Sequence, residues 1–402
     1  MTFPDALRAL NHRDFRVFWG GQLISLIGTW MQSVAQSWLV LELSGSPFKL
    51  GLIGTFQFAP VLVFSVIGGA IADRLPKRRL IIVTQTALGL QAFALAALVW
   101  SGHVRYWHVG LLALLLGCAN VVDMPTRQSF VVEMVGRQAL GNAVALNSAA
   151  FNGARIVGPA VAGLLIARVG VAPAFLLNGL SFLVVIAALL VVRAEGAPRP
   201  RGATTVAAEA LLGVGYALKT PRIALILSLV LVVSLCVFNF TVYVPLFARD
   251  VLHQGAAGFG LLMAALGVGA VAGALALATL GGHEPALSAI FTAGFFASAA
   301  LGALAAVSDF RTAVVVLFQV GFFSIIFMAG CNTTLQLDTP DELRGRVMSL
   351  YTLAFGGVFP LGAFLVGAIA ETAGVRAACL AGGGAGFVGV AALLVWWRRR
   401  GR

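Results

Sequence analysis

The sequence predicts an all-α integral membrane fold: twelve transmembrane helices in two six-helix pseudo-symmetric halves. Three observations predict it. Of 402 residues, 60% are hydrophobic and only 10% charged, whereas a soluble domain carries about 25% charged residues. The apolar residues fall into twelve runs, each near the roughly 20 residues that a helix needs to span a bilayer. The second half also repeats landmarks of the first.

The twelve runs lie near 16–42, 48–72, 80–101, 106–130, 140–167, 171–193, 222–247, 256–281, 286–307, 311–336, 344–370 and 374–397. Residues 1–16 form a charged, amphipathic lead carrying Leu7, Leu10 and Phe15. A cleavable signal would instead need a basic start followed by a short apolar core. Cys118, Cys236, Cys331 and Cys379 stand singly in apolar runs, without metal-ligand spacing, and read as small packing residues.

The net charge of +12 follows topology rather than a nucleic-acid surface. With a cytoplasmic amino terminus and alternating helices, inside segments hold twenty basic residues. Outside loops hold six: Lys49, Arg105, Arg168, Arg249, Arg311 and Arg376. The positive-inside rule then puts both ends in the cytoplasm. The surplus also meets anionic lipid heads.

The repeat has an offset of 204. Gly141, Leu146, Phe151, Gly153, Gly158, Gly163, Gly170, Val171 and Gly179 are matched by Gly345, Leu350, Phe355, Gly357, Gly362, Gly367, Gly374, Val375 and Gly383. Two halves result, 1–193 and 222–402. Between them, 194–221 opens with a polar, proline-rich linker (Glu195, Pro198, Pro200). An amphipathic helix is expected from Thr204 to Lys219, on the inner membrane surface. A regulatory segment is the other reading of that helix.

Between the second and third runs lies Gly69-Ala70-Ile71-Ala72-Asp73-Arg74-Leu75-Pro76-Lys77-Arg78-Arg79. A small residue, an Asp-Arg pair and a basic cluster resemble the signature loop of the major facilitator superfamily. Pro76 stands where that family usually has Gly, and Lys77 where it often has Arg. The resemblance implies solute transport by alternating access, with a substrate site between the halves. It also implies a cytoplasmic gate at Gly69, Asp73, Arg74, Arg78 and Arg79. A topology anchor is the plainer reading, but Asp73 adds nothing to orientation. The second half has no such Asp-Arg cluster.

The chain is further similar to the bacterial branch containing enterobactin exporters and macrolide efflux pumps. Leu10-Asn11-His12-Arg13-Asp14-Phe15-Arg16, Gly28-Thr29-Trp30-Met31-Gln32 and Asp341-Glu342-Leu343-Arg344-Gly345-Arg346 carry this resemblance. A bacterial cytoplasmic (inner) membrane protein, working as a monomer, is the expectation.

Ionisable residues inside a membrane are functional candidates by default. Asp123 and Arg127 lie one turn apart on one helix face, about 25 Å below the outer marker Trp107. Burial favours the neutral acid, and the arginine favours the carboxylate. A carboxylate so poised can take and release a proton; a static ion pair is the alternative. Arg155, near mid-membrane, costs at least about 2.5–3.5 kcal/mol if unpartnered, and Asp123 is its expected partner. Arg127 loosely resembles the family's fourth-helix arginine, linked there to proton coupling. Gly158-Pro159-x-x-x-Gly163 resembles the fifth-helix motif of its antiporters, with glycines for close packing and a proline for bending. At the 204 offset the three charged positions become Phe327, Cys331 and Phe359. A charged coupling half and an aromatic substrate half is one reading; loss of charge in a packing half is the other.

Gln32, Gln36, Gln57, Asn239 and Tyr243, with Phe327 and Phe359, are the candidate cavity residues for an amphiphilic small molecule. Each polar one also suits a helix–helix hydrogen bond. No Gly-x-x-x-x-Gly-Lys-Ser/Thr loop is present, and the five histidines are scattered. Neither ATP, a metal nor another cofactor is therefore expected. The expectation is a proton-coupled exporter of drugs or siderophores. A lipid or lysolipid flippase, or a non-transporting scaffold, are the alternatives. An enzyme would need a catalytic constellation at one depth, which the sequence lacks.

Overall fold

A computed structural model describes residues 5–197, 214–280 and 286–400. After a short 3-10 turn at Asp5–Asn11 come α1 (Arg13–Ser44), α2 (Pro47–Arg74), α3 (Lys77–Trp100), α4 (Tyr106–Gly136), α5 (Gln138–Val169) and α6 (Ala172–Val191). Then follow α7 (Pro221–Cys236), α8 (Phe240–Asp250), α9 (Ala256–Leu280), α10 (Leu287–Ala303), α11 (Phe310–Asp338), α12 (Asp341–Thr352) and α13 (Phe359–Arg400). Among the described residues no strand occurs, and ten helical stretches are long and apolar enough to cross a membrane. Only helices and closed barrels keep every backbone polar group bonded in lipid.

Large apolar side chains point outward along these helices, Leu90 and Leu190 at 64% exposure and Val388 at 66%. A soluble protein does not expose apolar surface in such bands; acyl chains would cover it.

The chain divides into two compact units. Unit 1 holds 1–44 and 59–202; unit 2 holds 45–58 and 203–402. Helix α2 therefore starts in one and ends in the other. Within unit 1, glycines let helices approach closely: Gly158 of α5 sits against Trp30 and Ile27 of α1, Gly179 of α6 against Phe93 of α3, and Gly68 of α2 against Val121 of α4. Within unit 2, Gly362 of α13 sits against Leu235 and Asn239, Gly383 of α13 against Ser298 and Gly302 at α10, and Gly269 of α9 against Phe318 of α11. Gly158 and Gly362, and Gly179 and Gly383, are each 204 residues apart. Gly170 and Gly374 share that spacing and a positive φ of 83° and 85°. Side chains rarely adopt that conformation, so both positions turn the chain between two helices in the same way.

Three expectations change. The run 222–247 is two helices, because α7 ends at Cys236 and α8 begins at Phe240. The run 344–370 is interrupted by a π-helical turn at Leu353–Gly357. Cys118 is exposed and Cys236 half-buried, so only Cys331 and Cys379 are buried packing residues. Of the expected amphipathic helix 204–219, residues 214–219 are helical. The rest of it lies outside the described residues.

Candidate functional site

Asp123 on α4 is 4% exposed and accepts hydrogen bonds on both oxygens. Arg127 Nε donates to Oδ2 at 2.6 Å, closing an i, i+4 ion pair along the helix. The other oxygen, Oδ1, takes Thr84 Oγ1 and, at 3.0 Å, Gln85 Nε2, both from α3. A buried carboxylate survives only when paired and hydrogen-bonded, and this one is. The pair is the one that spacing predicts. Arg155 is not among these partners; its guanidinium lies 5.9 Å from the Trp30 ring centroid, within cation–π range. Trp30 in turn meets Phe151 edge-on at 5.6 Å. Thr84 and Gln85 were missed. Their signal is the polar cluster Thr84-Gln85-Thr86 inside the apolar stretch of α3.

Beside this pocket, α1, α3 and α6 share a second buried network. Gln32 Nε2 donates to Gln91 Oε1 at 2.9 Å, and Asn178 Nδ2 donates to Gln32 Oε1 at 2.7 Å. Ser181 Oγ donates to the Asn178 carbonyl at 2.7 Å. Gln32 is 2% exposed, so both ends of its amide are spent on joining helices. Gln36 is buried too, while Gln57 is half-buried within unit 2.

The basic loop has a definite architecture. Lys77 is 1% exposed, with Nζ 2.7 Å from the Ala197 carbonyl and 2.6 Å from Glu133 Oε1 of α4. Arg78 donates through Nε to the Leu189 carbonyl at 2.7 Å and through Nη2 to that of Leu190 at 3.1 Å. These are orphan carbonyls at the end of α6. The Lys77 and Arg78 backbone N–H groups bond the carbonyls of Gly196 and Glu195. Asp14 Oδ2 accepts from the Arg193 and Ala194 backbone N–H groups. The segment 193–197 is thus strapped across one end of unit 1. Gly69 and Asp73 are half-buried, and Arg74 and Arg79 are exposed.

In unit 2, Asn239 and Tyr243 are each 1% exposed. Asn239 Nδ2 donates to the Leu235 carbonyl at 2.9 Å, and Tyr243 Oη to the Cys236 carbonyl at 2.9 Å. The gap between α7 and α8 frees those carbonyls, and the two side chains satisfy them. These two candidate cavity residues spend their donors on the helix break. Around the break runs an aromatic cluster. Phe238 meets Phe327 at 6.4 Å and Phe355 at 6.2 Å, Phe355 meets Phe359 at 5.6 Å and Tyr351 at 6.3 Å, and Phe359 stacks on Phe58 at 5.3 Å. Phe327 is fully buried and Phe359 half-buried. Phe355 lies on the π-helical turn, a feature frequent at functional sites and invisible to hydrophobic periodicity. Gln336 Nε2 and Asn332 Oδ1 bond each other on α11. Pro159 and Gly163 are buried beside Gly158. No His, Cys, Asp or Glu cluster among the described residues has metal-holding geometry.

Comparison with known proteins agrees with this helical architecture. A multidrug efflux pump, Tap, of Mycolicibacterium fortuitum is 29% identical over 365 residues, covering 88% of each chain. The staphyloferrin A transporter of Staphylococcus aureus is 23% identical, covering 90% of each. The enterobactin exporter EntS of Salmonella typhi is 26% identical, covering 96% of this chain and 92% of its own. Among solved structures, a POT family transporter superposes with a TM-score of 0.75 at 12% identity, covering 96% of each chain. A bacterial homologue of the human lysosomal transporter Spinster does so with 0.73 at 12%, covering 95% and 94%. The family model described as transmembrane secretion effector matches residues 5–400. The chain therefore belongs to that family of the major facilitator superfamily, and is a multi-pass membrane transporter rather than an enzyme.

Proposed function

We propose that this chain is a proton-coupled exporter of amphiphilic small molecules, an antiporter of the drug or siderophore kind, working by alternating access. The export reading follows the relatives, a multidrug efflux pump and two siderophore transporters. The coupling reading is carried by one observation: a carboxylate, Asp123, buried inside a membrane helix against Arg127 with neutral donors on its other side. A purely structural helix needs no such charge, whose burial costs several kcal/mol before pairing. Asp123 is the proton carrier and Arg127 sets its ionised state, with Arg155, held over the Trp30 ring, as a further charge on the coupling path.

The finer architecture belongs to the same proposal. The ten apolar spans become twelve when α1 is counted and the stretch 343–400 is divided at Gly374. The matched glycine contacts and the shared turn at Gly170 and Gly374 support two six-helix halves, 1–193 and 222–402, joined by 194–221. The charge bias supports both termini in the cytoplasm of a bacterial cell, at its inner membrane. The protein acts as a monomer among membrane lipids. Gly69, Asp73, Arg74, Arg78 and Arg79 form the cytoplasmic gate, braced by the bonds of Arg78 to α6. Phe327, Phe359 and their aromatic neighbours offer the substrate a rigid apolar surface, with Gln36 and Gln57 as hydrogen-bonding positions. Gln32, Asn239 and Tyr243 hold that frame. Gly158, Pro159 and Gly163 pack α5 on α1.

The test is ethidium accumulation in cells expressing the wild type or Asp123→Asn, with and without a protonophore. Low accumulation that rises with protonophore, and rises alike in the variant, is the expected result. Protonophore-sensitive export that survives in Asp123→Asn would return Asp123 to a structural role. No export by folded wild type would overturn the broad drug-exporter reading.

A further inference from the structure

The Asp123 pocket contains more hydrogen-bonding capacity than an ionised carboxylate uses. The Thr84 hydroxyl has one hydrogen but two acceptors in range. One is Asp123 Oδ1; the other is the Ile81 carbonyl, at 3.0 Å on its own helix. Rotating about one bond, it can donate to either. Gln85 is fully buried; its Nε2 donates to Asp123, and its Oε1 has no hydrogen-bond partner. A buried acceptor left unmatched costs about 1–3 kcal/mol. The residue therefore holds an acceptor in reserve beside a carboxylate.

Both oddities resolve if Asp123 exists in two protonation states. While it is ionised it accepts from Arg127, Thr84 and Gln85, the arrangement observed. When a proton from water bonds to Oδ1, the carboxyl becomes a donor there. The Thr84 hydrogen then swings to the Ile81 carbonyl. The new Asp123 O–H donates to the freed lone pair of Thr84 Oγ1, or to Gln85 Oε1 once that amide turns over. No heavy-atom bond breaks: one proton is gained and returned to water on release, and Arg127 keeps its own charge. Arg127, the charged group bonded to Asp123, comes from its own helix, and the two groups that α3 bonds to it, Thr84 and Gln85, are neutral.

We infer that Thr84 and Gln85 are positioning residues for proton exchange at Asp123, a hydroxyl rotor and an amide that satisfy the carboxyl in both its ionised and protonated forms. This rests on the coupling role proposed above but concerns the residues around the carrier. Such a shell lowers the cost of changing state inside low dielectric, where an unmatched group is most expensive.

The experiment is an infrared pH titration of the purified full-length protein in detergent, reading the protonated-carboxyl band that Asp123→Asn removes. It needs no transport, so its outcome is separate from the dye assay. Thr84→Val keeps the shape and deletes the rotor. Its band should move to higher frequency, since the acid has lost its acceptor. Thr84→Ser should restore the wild-type frequency, a rescue that a packing role would not give, and Gln85→Leu should also displace the band. An unchanged band in Thr84→Val and Gln85→Leu, both eluting as folded protein, would overturn the inference. So would a wild-type protein with no band assignable to Asp123 between pH 4 and pH 9.

Discussion

Lys77 offers the sharpest test of how the basic loop is built. Its side chain is 1% exposed, and its partner Glu133 is 18% exposed. Lys77→Met keeps most of the stem against Gly196 and deletes the charge. Removing one partner of a buried pair costs about 3–5 kcal/mol, because the other charge is left behind. Glu133 keeps some solvent, so the lower end, about 3 kcal/mol, applies. At an unfolding entropy of about 2.1 cal/mol/K per residue, 402 residues give roughly 0.8 kcal/mol/K. The melting temperature should then fall by about 4 °C. Tryptophan-fluorescence melting of the detergent-purified protein reads it. Lys77→Met with Glu133→Leu removes both charges and should regain most of the loss, since apolar replacement of a buried pair is often neutral. Two additive losses, or no loss from Lys77→Met alone, would refute the buried pair as the structural centre of this loop.

Two further outcomes follow from packing and capping. Gly28→Val places a methyl-bearing carbon 2.6 Å from Asn178 Oδ1 and 2.7 Å from Ser181 Oγ; overpacking of this kind costs about 1–3 kcal/mol. Gly20→Val, on the same helix with nothing within 4 Å, should melt like wild type, and equal losses in both would count against the close α1–α6 contact. Asp309 caps α11 by accepting the Thr312 backbone N–H, which holds its carboxyl below its ordinary value. A depressed folded value means that the stabilisation is present above the unfolded value of about 3.9 and is lost as pH falls through the folded one. Asp309→Ala should therefore melt below wild type at pH 7, and the gap should close in acid; a gap that persists at pH 2 would point to something other than the charged cap.

The helices were legible because apolar runs of membrane length carry a strong signal. Their interruptions were not. The gap after Cys236 lies in Val237-Phe238-Asn239, where one asparagine is the only polar residue and no proline or glycine marks a break. What makes it tolerable is tertiary: Asn239 and Tyr243 reach back to the freed carbonyls. Asp123 and Arg127 were legible as a pair because spacing along one helix fixes their distance. Thr84 and Gln85 were not, because the register between two helices is set by packing that no single helix records. Lys77 reads as a topology charge, and only the strap at 193–197 with Glu133 shows it buried.

The two units use polar groups in different ways, and the difference bears on how the coupling reading should be judged. Unit 1 joins α1, α3 and α6 through neutral amides and hydroxyls at Gln32, Gln91, Asn178 and Ser181. Those bonds can specify helix contacts at modest cost, each worth about 0.6 kcal/mol on average in a membrane. Helix register therefore does not require a charge at Asp123. Replacing a buried pair by apolar residues is often neutral or stabilising, so architecture alone gives no advantage to Asp123 with Arg127 over a pair of leucines. Unit 2 illustrates the alternative 204 residues on, where Phe327 and Cys331 are fully buried without charge. An Asp123→Leu, Arg127→Leu double variant separates the two accounts. If the pair is only a brace, the variant should fold and still export ethidium in a protonophore-sensitive way. If Asp123 carries the proton, it should fold at least as stably as wild type and lose that export altogether.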